Sequence, residues 1–484
     1  MARCPARRPF PSSFVVPVLL AGLLSPGAIA QTAAPGDPPP VLTLQDCVRL
    51  ALDSSAGLRT REIERQIAGD NVTEAWGAFL PNLSLSGSYS KSDRTDFDIT
   101  SPIYGVREVG YPTEEGDTVY IPYDAVIGSR TNDVNVKATS KNWGLAANLN
   151  LFDGLANINR LQAARARRDA ADHSANYTRE LVIQNVAVAY FELLRYLQLK
   201  EVAAETRDQA AAELQRTETY FRLGSAAKSD VLQQRVRLEQ TRYDLVVAEN
   251  RVEKAVADLA YAMNQPLTKR LTIDPSPLET ALTAEGMSLL VDQPLDDRLD
   301  LRSSAAEQQA AEQAAAAAGG AYYPRLDVYS RYSRAYDESP YRFGSQESES
   351  WLWGAQISWD IFNRFQNSTA RSRARAQARI AAYQHEQANL DAQLEVRQYD
   401  IAIREAIERH QLALERITHT EEELRLAQER FRVGAGTQLE RITAEVNLAG
   451  ARADKVQAIC DFLIARVRLS RATGRAQAPE LSWR

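Results

Sequence analysis

The chain has 484 residues, of which 25% are charged, and its formal net charge is -6 with a pI of about 5.6. An acidic chain of this kind argues against nucleic acid as a partner. The mean hydropathy is -0.37, and no long apolar run follows the first 30 residues, so this chain could enter a membrane only through β-strands.

The N-terminal segment, residues 1–30, is predicted to be a cleaved secretory signal peptide. Three arginines precede an apolar run at 14–24, and the run is followed by a small-residue pattern at 28–30. Such a run is too short to span a membrane as a helix. A proline-rich leader at 31–42 follows, and the mature chain is expected to leave the cytoplasm.

A helix is predicted to begin at Thr43 as its N-cap and to run to about Ala78, with a break near Ser54 to Gly57. Beyond it, apolar and polar residues alternate with a period of two in four segments, at 83–89, 143–151, 326–332 and 353–361. One apolar and one polar face over about ten residues predicts transmembrane β-strands, and a soluble two-faced sheet is the alternative.

These segments form two predicted β-hairpins, at about 82–152 and 325–362. Four strands cannot close a barrel, because known membrane barrels have about eight strands or more and an open edge in lipid is costly. The chain is therefore predicted to oligomerise, as a dimer with eight strands or a trimer with twelve. The polar residues of the first connection, 92–140, are expected to form an outer loop with the least order.

After each β-hairpin comes a long, charged, alanine-rich arm that turns and returns. From Phe152 to Phe221 there are 69 positions, which as one helix would extend about 100 Å. The two turns, the preceding strands and both return arms are offset by 210 residues, which indicates an internal duplication. The predicted organisation is a signal peptide at 1–30, a leader at 31–42, a first repeat at 43–264 with its tip near 221–230, an irregular connector at 265–292, a second repeat at 293–475 with its tip near 431–440, and a C-terminal tail at 476–484.

The first return arm shows a seven-residue repeat beside a neighbouring apolar row. The repeat consists of Val231, Leu238, Leu245, Val252 and Leu259, and the neighbouring row of Leu232, Val236, Tyr243 and Val246. A strict heptad predicts a left-handed antiparallel coiled coil. Two rows side by side indicate a helix with neighbours on both sides, as in a closed ring, and an isolated coiled coil is the alternative.

Few residues suggest other chemistry. Cys47 and Cys460 could form a disulfide in an exported chain, but both lie in apolar patterns that favour two small core residues. The four histidines lie on helical stretches without zinc-ligand spacing and are interpreted as solvated; they are His173, His385, His410 and His419. No catalytic constellation, metal site or cofactor motif is predicted.

Three short motifs recur with this pattern. Leu42-Thr43-Leu44 opens the first helix, and the stretch 79–85 (FLPNLSL) leads into the first strand, with a copy at 322–326 (YYPRL) before the third. The stretch 298–301 (RLDL) is similar to an Arg-Pro-Asp-Leu motif. Across nearly the whole mature chain, the sequence resembles the TolC-like outer membrane efflux family. The resemblance implies a mainly helical trimer, with a 12-stranded barrel in the outer membrane and a helical tunnel across the periplasm.

The resemblance also implies a function and partners. The chain would be the passive exit duct of a tripartite efflux or type I secretion system, docked to a periplasmic adaptor and powered by an inner-membrane pump. A periplasmic adaptor and an extracytoplasmic coiled-coil scaffold are the alternatives. Neither the exported substrate nor the pump class is indicated by the sequence.

The two turns are the predicted docking site for the adaptor. Gly224 and Gly434 are expected to stop their helices in the left-handed conformation. By the resemblance, the adjoining side chains face the adaptor, with a plain turn as the alternative; they are Phe221, Arg222, Leu223, Phe431, Arg432 and Val433.

An acid follows each glycine, Asp230 and Glu440, again 210 residues apart. In the family, two acidic positions on the second hairpin form a constriction ring. Glu440 matches the first position, whereas the second is Thr443, a departure that puts a double acidic ring in doubt. Three copies of Glu440 near an axis would bind cations and would need a counter-ion or a salt-bridge latch to close. The alternative is a solvent-facing acid on a helix.

Overall fold

A computed structural model describes residues 41–267, 271–275, 297–338 and 346–474. The predicted signal peptide, most of the leader, most of the connector and the C-terminal tail lie outside the described residues. Within them the helices are α1 (Leu44–Ser54), α2 (Ala56–Gly77), α3 (Ala156–Arg222), α4 (Lys228–Ala262), α5 (Leu299–Gly319), α6 (Gln366–Arg432) and α7 (Gln438–Ala472). The strands are β1 (Val41–Leu42), β2 (Asn82–Pro112), β3 (Thr118–Phe152), β4 (Thr272–Ile273), β5 (Arg325–Glu338) and β6 (Gln346–Ser358).

The first helix begins and breaks where the sequence predicts. Thr43 is the N-cap of α1, and its hydroxyl accepts a hydrogen bond from the Asp46 backbone N–H at 3.2 Å. Asp46 in turn accepts one from the Thr43 N–H, which completes a capping box. Ser55 separates α1 from α2 and caps α2 through the Leu58 N–H.

The predicted strands form one antiparallel sheet in the order β2-β3-β5-β6. The register aligns Leu85, Leu145, Tyr332 and Trp351 in a row across it. Since directly paired residues share a face, this row makes one face apolar. The rings of Tyr332 and Trp351 lie 5.8 Å apart, between centroids.

The next row of the same register carries the opposite face. It aligns Ser86, Gly144, Ser333 and Ser350. The hydroxyls of Ser333 and Ser350 are hydrogen-bonded at 2.8 Å. In these rows the predicted alternation of faces is confirmed, with small polar side chains on one face and large apolar ones on the other.

The connection between β2 and β3 differs from the prediction. The outer loop expected at 92–140 is wrong, because the two strands stay paired as far as Pro112 and Thr118. Within the described residues, the pairing of β3 with β5 reaches Thr139, and beyond it β3 is paired with β2. The valine, isoleucine and tyrosine residues between 103 and 126 supply the β-propensity that the many polar residues obscured.

The predicted connector contains one short regular element in its described part. Thr272 and Ile273 form β4, which pairs in parallel with Val41 and Leu42 of β1. The prediction of a wholly irregular connector at 265–292 is therefore too simple. The pairing ties the end of the leader to the connector.

The two helical hairpins repeat each other in length. Helices α3 and α6 each have 67 residues, and α4 and α7 each have 35. Both long helices start after a non-glycine residue with positive φ, Leu155 at 67° and Phe365 at 66°. A helix of this length extends about 100 Å.

Ion pairs mark the order of the helices toward the turns. Asp461 on α7 accepts hydrogen bonds from Arg195 on α3 at 2.7 Å and from Arg409 on α6 at 3.3 Å, so α7 lies between them. On the other side of α3, Arg235 of α4 bonds Glu218 at 2.8 Å. The order is α4-α3-α7-α6.

Toward the sheet, α5 takes the place of α7 between the two long helices. The Ser303 hydroxyl donates to the Ala170 carbonyl of α3 at 3.0 Å, and the Ser304 hydroxyl lies 2.8 Å from Nδ1 of His385 on α6. Helix α2 packs on the other side of α3. The interpretation of the histidines as solvated is wrong for His385, which joins two helices.

The shorter helices are stacked end to end. At the junction of α1 and α4, the Ser54 hydroxyl donates to the Met263 carbonyl, and the Asn264 side-chain amide donates to the Ser54 carbonyl, both at 2.7 Å. At the junction of α5 and α7, the Arg298 guanidinium donates to the Ala472 carbonyl at 2.9 Å. Helices α2, α1 and α4 together pack along α3, and helices α5 and α7 together pack along α6.

The core lies at the level of these junctions. Its largest fully buried side chains include Tyr190 and Phe191 of α3 and Leu463 of α7. Cys47 belongs to this cluster, and Cys460 of α7 is equally buried. Both are free thiols, which confirms their interpretation as core residues. Burial raises the pKa of each thiol to about 11.

Candidate functional site: the hairpin tips and the buried ion pairs beside them

Both hairpin tips are built by the same helix stop. Gly224 has φ +78°, and the Ser225 N–H donates to the Tyr220 carbonyl at 2.9 Å, a six-to-one bond. Gly434 has φ +77° and is followed by the same bond. A Cβ in this backbone conformation meets the local carbonyl, so glycine is the residue that allows the turn.

The predicted docking side chains differ in exposure. Phe221 is 44% exposed, Leu223 75% and Val433 71%, so both tips present apolar groups to their surroundings. The two arginines of the turns, Arg222 and Arg432, are also exposed.

Phe431 is the exception, because it is only partly exposed. A guanidinium group covers its ring, with the Arg441 Cζ 4.8 Å from the ring centroid. Such a stack holds the ring against the hairpin.

Asp230, the first gate candidate, caps a helix. The Asp230 carboxylate accepts the Ala227 backbone N–H at 3.1 Å, which caps the start of α4. A carboxylate there also interacts favourably with the helix dipole. The capping bond is sufficient to account for an acid at this position.

In the second hairpin, a hydroxyl does the capping. Thr437 accepts the Glu440 N–H at 3.2 Å, and the Glu440 carboxylate remains exposed, 3.9 Å from Arg430. Thr443 is exposed and donates to the Leu439 carbonyl of its own helix at 2.9 Å. Asp230 and Glu440 belong to different hairpins.

A buried ionic cluster lies beside the second tip, and sequence reasoning missed it. Arg441 of α7 contacts Glu213 of α3, with Nη2 and Oε2 2.6 Å apart and side-chain exposures of 4% and 10%. Glu445 lies 3.9 Å from Arg441, and Arg216 bonds Glu213 at 2.7 Å. The cluster joins the two hairpins near their tips.

Glu445 is the acid whose pKa this setting changes. Burial raises the pKa of Glu445, Glu213 raises it further, and the guanidinium groups of Arg441, Arg237 and Arg216 oppose the shift. No sequence signal marks this cluster, since Arg441 and Glu445 have the spacing of an ordinary surface pair.

A second buried network explains the RLDL motif. Arg298, with a side-chain exposure of 4%, bonds Asp300 at 2.7 and 3.0 Å and Glu395 of α6 at 2.9 Å. Burial alone would raise the pKa of Asp300, but the hydrogen bonds from Arg298 hold it below its usual value. Arg471 of α7 contacts Glu395 from the other side. The motif therefore positions the junction of α5 and α7.

Membrane and metal features complete the inventory. None of the helices in the described part of the chain is both long and apolar enough to span a membrane. The described histidine, cysteine and acidic side chains include no group of three placed to bind a metal ion.

Comparison with known proteins agrees with this architecture. The family model "Outer membrane efflux protein" matches residues 47–265 and 290–475. Outer membrane protein TolC of Vibrio cholerae serotype O1 is 22% identical over 317 residues, which cover 65% of this chain and 72% of that protein.

Two solved structures share the fold. CusC is 19% identical with a TM-score of 0.73, over 92% of this chain and 95% of CusC. VceC of Vibrio cholerae is 17% identical with a TM-score of 0.71, over 89% of this chain and 96% of VceC. These comparisons decide against the adaptor and scaffold alternatives. The chain belongs to the outer membrane efflux protein family and is an outer membrane efflux channel, not an enzyme.

Proposed function

We propose that three copies of this chain form a passive exit duct that docks a periplasmic adaptor and receives its cargo from an inner-membrane pump. The sheet would close into a barrel of twelve strands, and the helices would close into a tunnel. No cofactor is needed, because the pump supplies the energy.

The observation that carries the proposal is the pair of unpartnered sheet edges. β2 and β6 are the outer strands of the described sheet, and each leaves one side unpaired. An apolar sheet with two open edges is not stable in lipid. Pairing β2 of one copy with β6 of the next removes both edges and places the serine face on the lumen.

The outer helices carry unpartnered apolar rows that fit the same arrangement. On α4, the predicted second row is exposed in one chain, with Leu232 at 51%, Val236 at 71%, Tyr243 at 65% and Val246 at 54%. On α6, exposed apolar residues include Tyr383, Leu390, Leu394, Ile401 and Leu412. In a closed ring, α4 of one copy packs on α6 of its neighbour and buries both rows.

The adaptor contact is proposed at the tips. Phe221, Leu223 and Val433 are apolar groups at the ends of rigid helical hairpins, where they contribute nothing to the core. Exposed apolar anchors on a rigid turn suit a helical partner with a complementary groove.

The gate is proposed at Glu440. Three carboxylates near the axis would repel one another, and Arg430 at 3.9 Å is the available counter-ion. Thr443 would form a neutral second ring. Asp230 caps its helix and would at most add charge near the tip.

Membrane fractionation of the native host tests the duct, with gel samples left unheated and heated. We expect an outer-membrane species that is heat-modifiable and runs near three times the mature mass. A water-soluble monomer would overturn the proposal.

The docking role is tested in the same host by replacing the apolar tip residues. Leu223→Ser with Val433→Ser should abolish export while the heat-modifiable trimer persists. Tyr261→Ser is the control, because Tyr261 is 79% exposed on α4 but lies near the far end of that helix. Normal export by the tip variant would contradict docking at this surface.

A further inference from the structure

An arginine-lined groove runs between α5 and α6 at their sheet ends. Its volume is about 730 Å³. The residues that matter here are Arg371, Arg375 and Arg379 of α6, with Ser368 and Ser372 on the same helix and Tyr322 after α5.

The three arginines form one stripe, because their spacing of four residues places them one above another on a helix. Arg371 lies over the Tyr322 ring, with Cζ 5.3 Å from the centroid. Within the described residues, none of the three guanidinium groups forms an ion pair with a carboxylate. Glu312, the acid in the groove lining, accepts a hydrogen bond from Gln308 instead. The groove therefore carries an excess of positive charge.

The fold does not require this charge. In the first repeat, 210 residues earlier, the equivalent positions are Leu161, Arg165 and Asp169. The helix they occupy has the same length of 67 residues. The first repeat thus forms a helix of the same length with one arginine, one leucine and one aspartate at these three positions. The arginine stripe is specific to the second repeat.

Contacts place the groove on the apolar side of the sheet. The Trp359 indole N–H donates to the Tyr322 carbonyl at 3.1 Å. Trp359 continues the apolar alternation of β6 and is 59% exposed, and Ile361 and Phe362 beyond it are 87% and 71% exposed. An apolar and aromatic belt of this kind is typical of a membrane interface. The groove starts where that belt meets the helices.

From this juxtaposition we infer that the α5–α6 groove binds the phosphate headgroup of an anionic phospholipid from the leaflet that faces the helices. The inference rests on the proposed membrane insertion. Guanidinium groups bind phosphate oxygens in pairs, and the two serine hydroxyls add neutral donors. Basic pockets beside a membrane surface bind anionic headgroups in this way. The acyl chains would lie along the belt of Trp359 and Ile361.

Native mass spectrometry of the purified, detergent-solubilised full assembly tests the site. The probes are dioleoylphosphatidylglycerol and dioleoylphosphatidylcholine, each titrated alone and against inorganic phosphate. We expect dioleoylphosphatidylglycerol to bind at least about tenfold more tightly than dioleoylphosphatidylcholine. The variant Arg371→Gln/Arg375→Gln/Arg379→Gln should lose that preference.

A charge-matched control separates the groove from the net charge. Arg165→Gln/Arg167→Gln/Arg373→Gln removes three exposed arginines outside the groove, two from α3 and one from α6, and should keep the preference. The single variant Arg375→Gln, at an exposed position, should weaken it without affecting assembly.

Equal binding of both lipids overturns the inference, as does an unchanged preference in the groove variant. Displacement of dioleoylphosphatidylglycerol by inorganic phosphate at equal concentration would also overturn the inference, since the groove would then bind any small anion. A chain that fails to assemble in the membrane would instead refute the proposed duct, and heat-modifiable mobility distinguishes that result.

Discussion

Arg441 and Glu213 join the two helical hairpins of the chain through a buried ion pair, with Nη2 of the arginine 2.6 Å from Oε2 of the glutamate. The arginine also covers the ring of Phe431 at the second tip. The position of one tip side chain is therefore coupled to α3 of the other hairpin.

Glu213→Ala should destabilise the tip region by about 3–5 kcal/mol, because it leaves a buried guanidinium without its closest carboxylate. Hydrogen exchange of the amides near 431–441 measures the loss. The control is Glu218→Ala, which breaks the exposed Arg235 pair at the same end and should cost less than about 1 kcal/mol. Equal effects in the two variants would contradict the coupling.

The buried Glu445 carboxyl should make the stability difference between the parent chain and Glu445→Gln depend on pH. Burial raises its pKa in the folded chain, so folding favours the protonated acid. The stability that this residue contributes is greatest below its usual value of 4.5 and falls as pH rises through the folded pKa. Glu445→Gln should therefore be more stable than the parent chain at pH 7, and the difference should vanish near about pH 4. Melting temperatures of both proteins across this range provide the measurement. A difference that does not depend on pH would rule out the shift.

Gly434→Ala should destabilise the second tip by about 1–2 kcal/mol, because the backbone there requires a positive φ. Gly450→Ala is the matched control. Gly450 lies within α7, where the nearest atom to an added Cβ is Nη2 of Arg416 at 3.7 Å. The control should gain about 0.5–1 kcal/mol from helix propensity. Chemical denaturation gives the change in the free energy of unfolding for each variant, and a gain of stability in both would argue against the turn conformation at Gly434.

Arg298→Ala should cost about 3–5 kcal/mol, because it leaves Asp300 and Glu395 partly buried without their shared cation. Arg302→Ala removes an exposed pair with Asp297 and should cost less than about 1 kcal/mol. Thermal unfolding of the two variants gives the comparison. Near-equal melting temperatures would show that the RLDL network does not support the junction.

Cys47 and Cys460 should resist alkylation by iodoacetamide in the folded protein at pH 8. Both side chains are buried, and with a pKa of about 11 only about one thiol in a thousand is ionised at that pH. Mass spectrometry before and after unfolding measures the labelling. A cysteine introduced by Ser225→Cys at the exposed first tip should react at once. Rapid labelling of either native cysteine would contradict the packing of the core.

The repeats, helix lengths and strand faces were predictable because each depends on local sequence. Gly224 and Gly434 end helices through their own backbone freedom, and the alternation around Leu145 determines which residues share a face. The part of the β2–β3 hairpin beyond Thr139 was predicted as a loop. Most of its residues are polar, and the β-propensity of each single valine, isoleucine or tyrosine is too weak to outweigh that signal.

The sequence by itself determined the duplication, the 67-residue helices, the two turns and the two-faced sheet, since these follow from periodicity and from single residues. Only the tertiary structure decided that Asp230 caps a helix, that Arg441 is buried against Glu213, and that the second row of α4 stays exposed within one chain. These features depend on which helices become neighbours, and a side chain carries no local mark of the partner that lies hundreds of residues away.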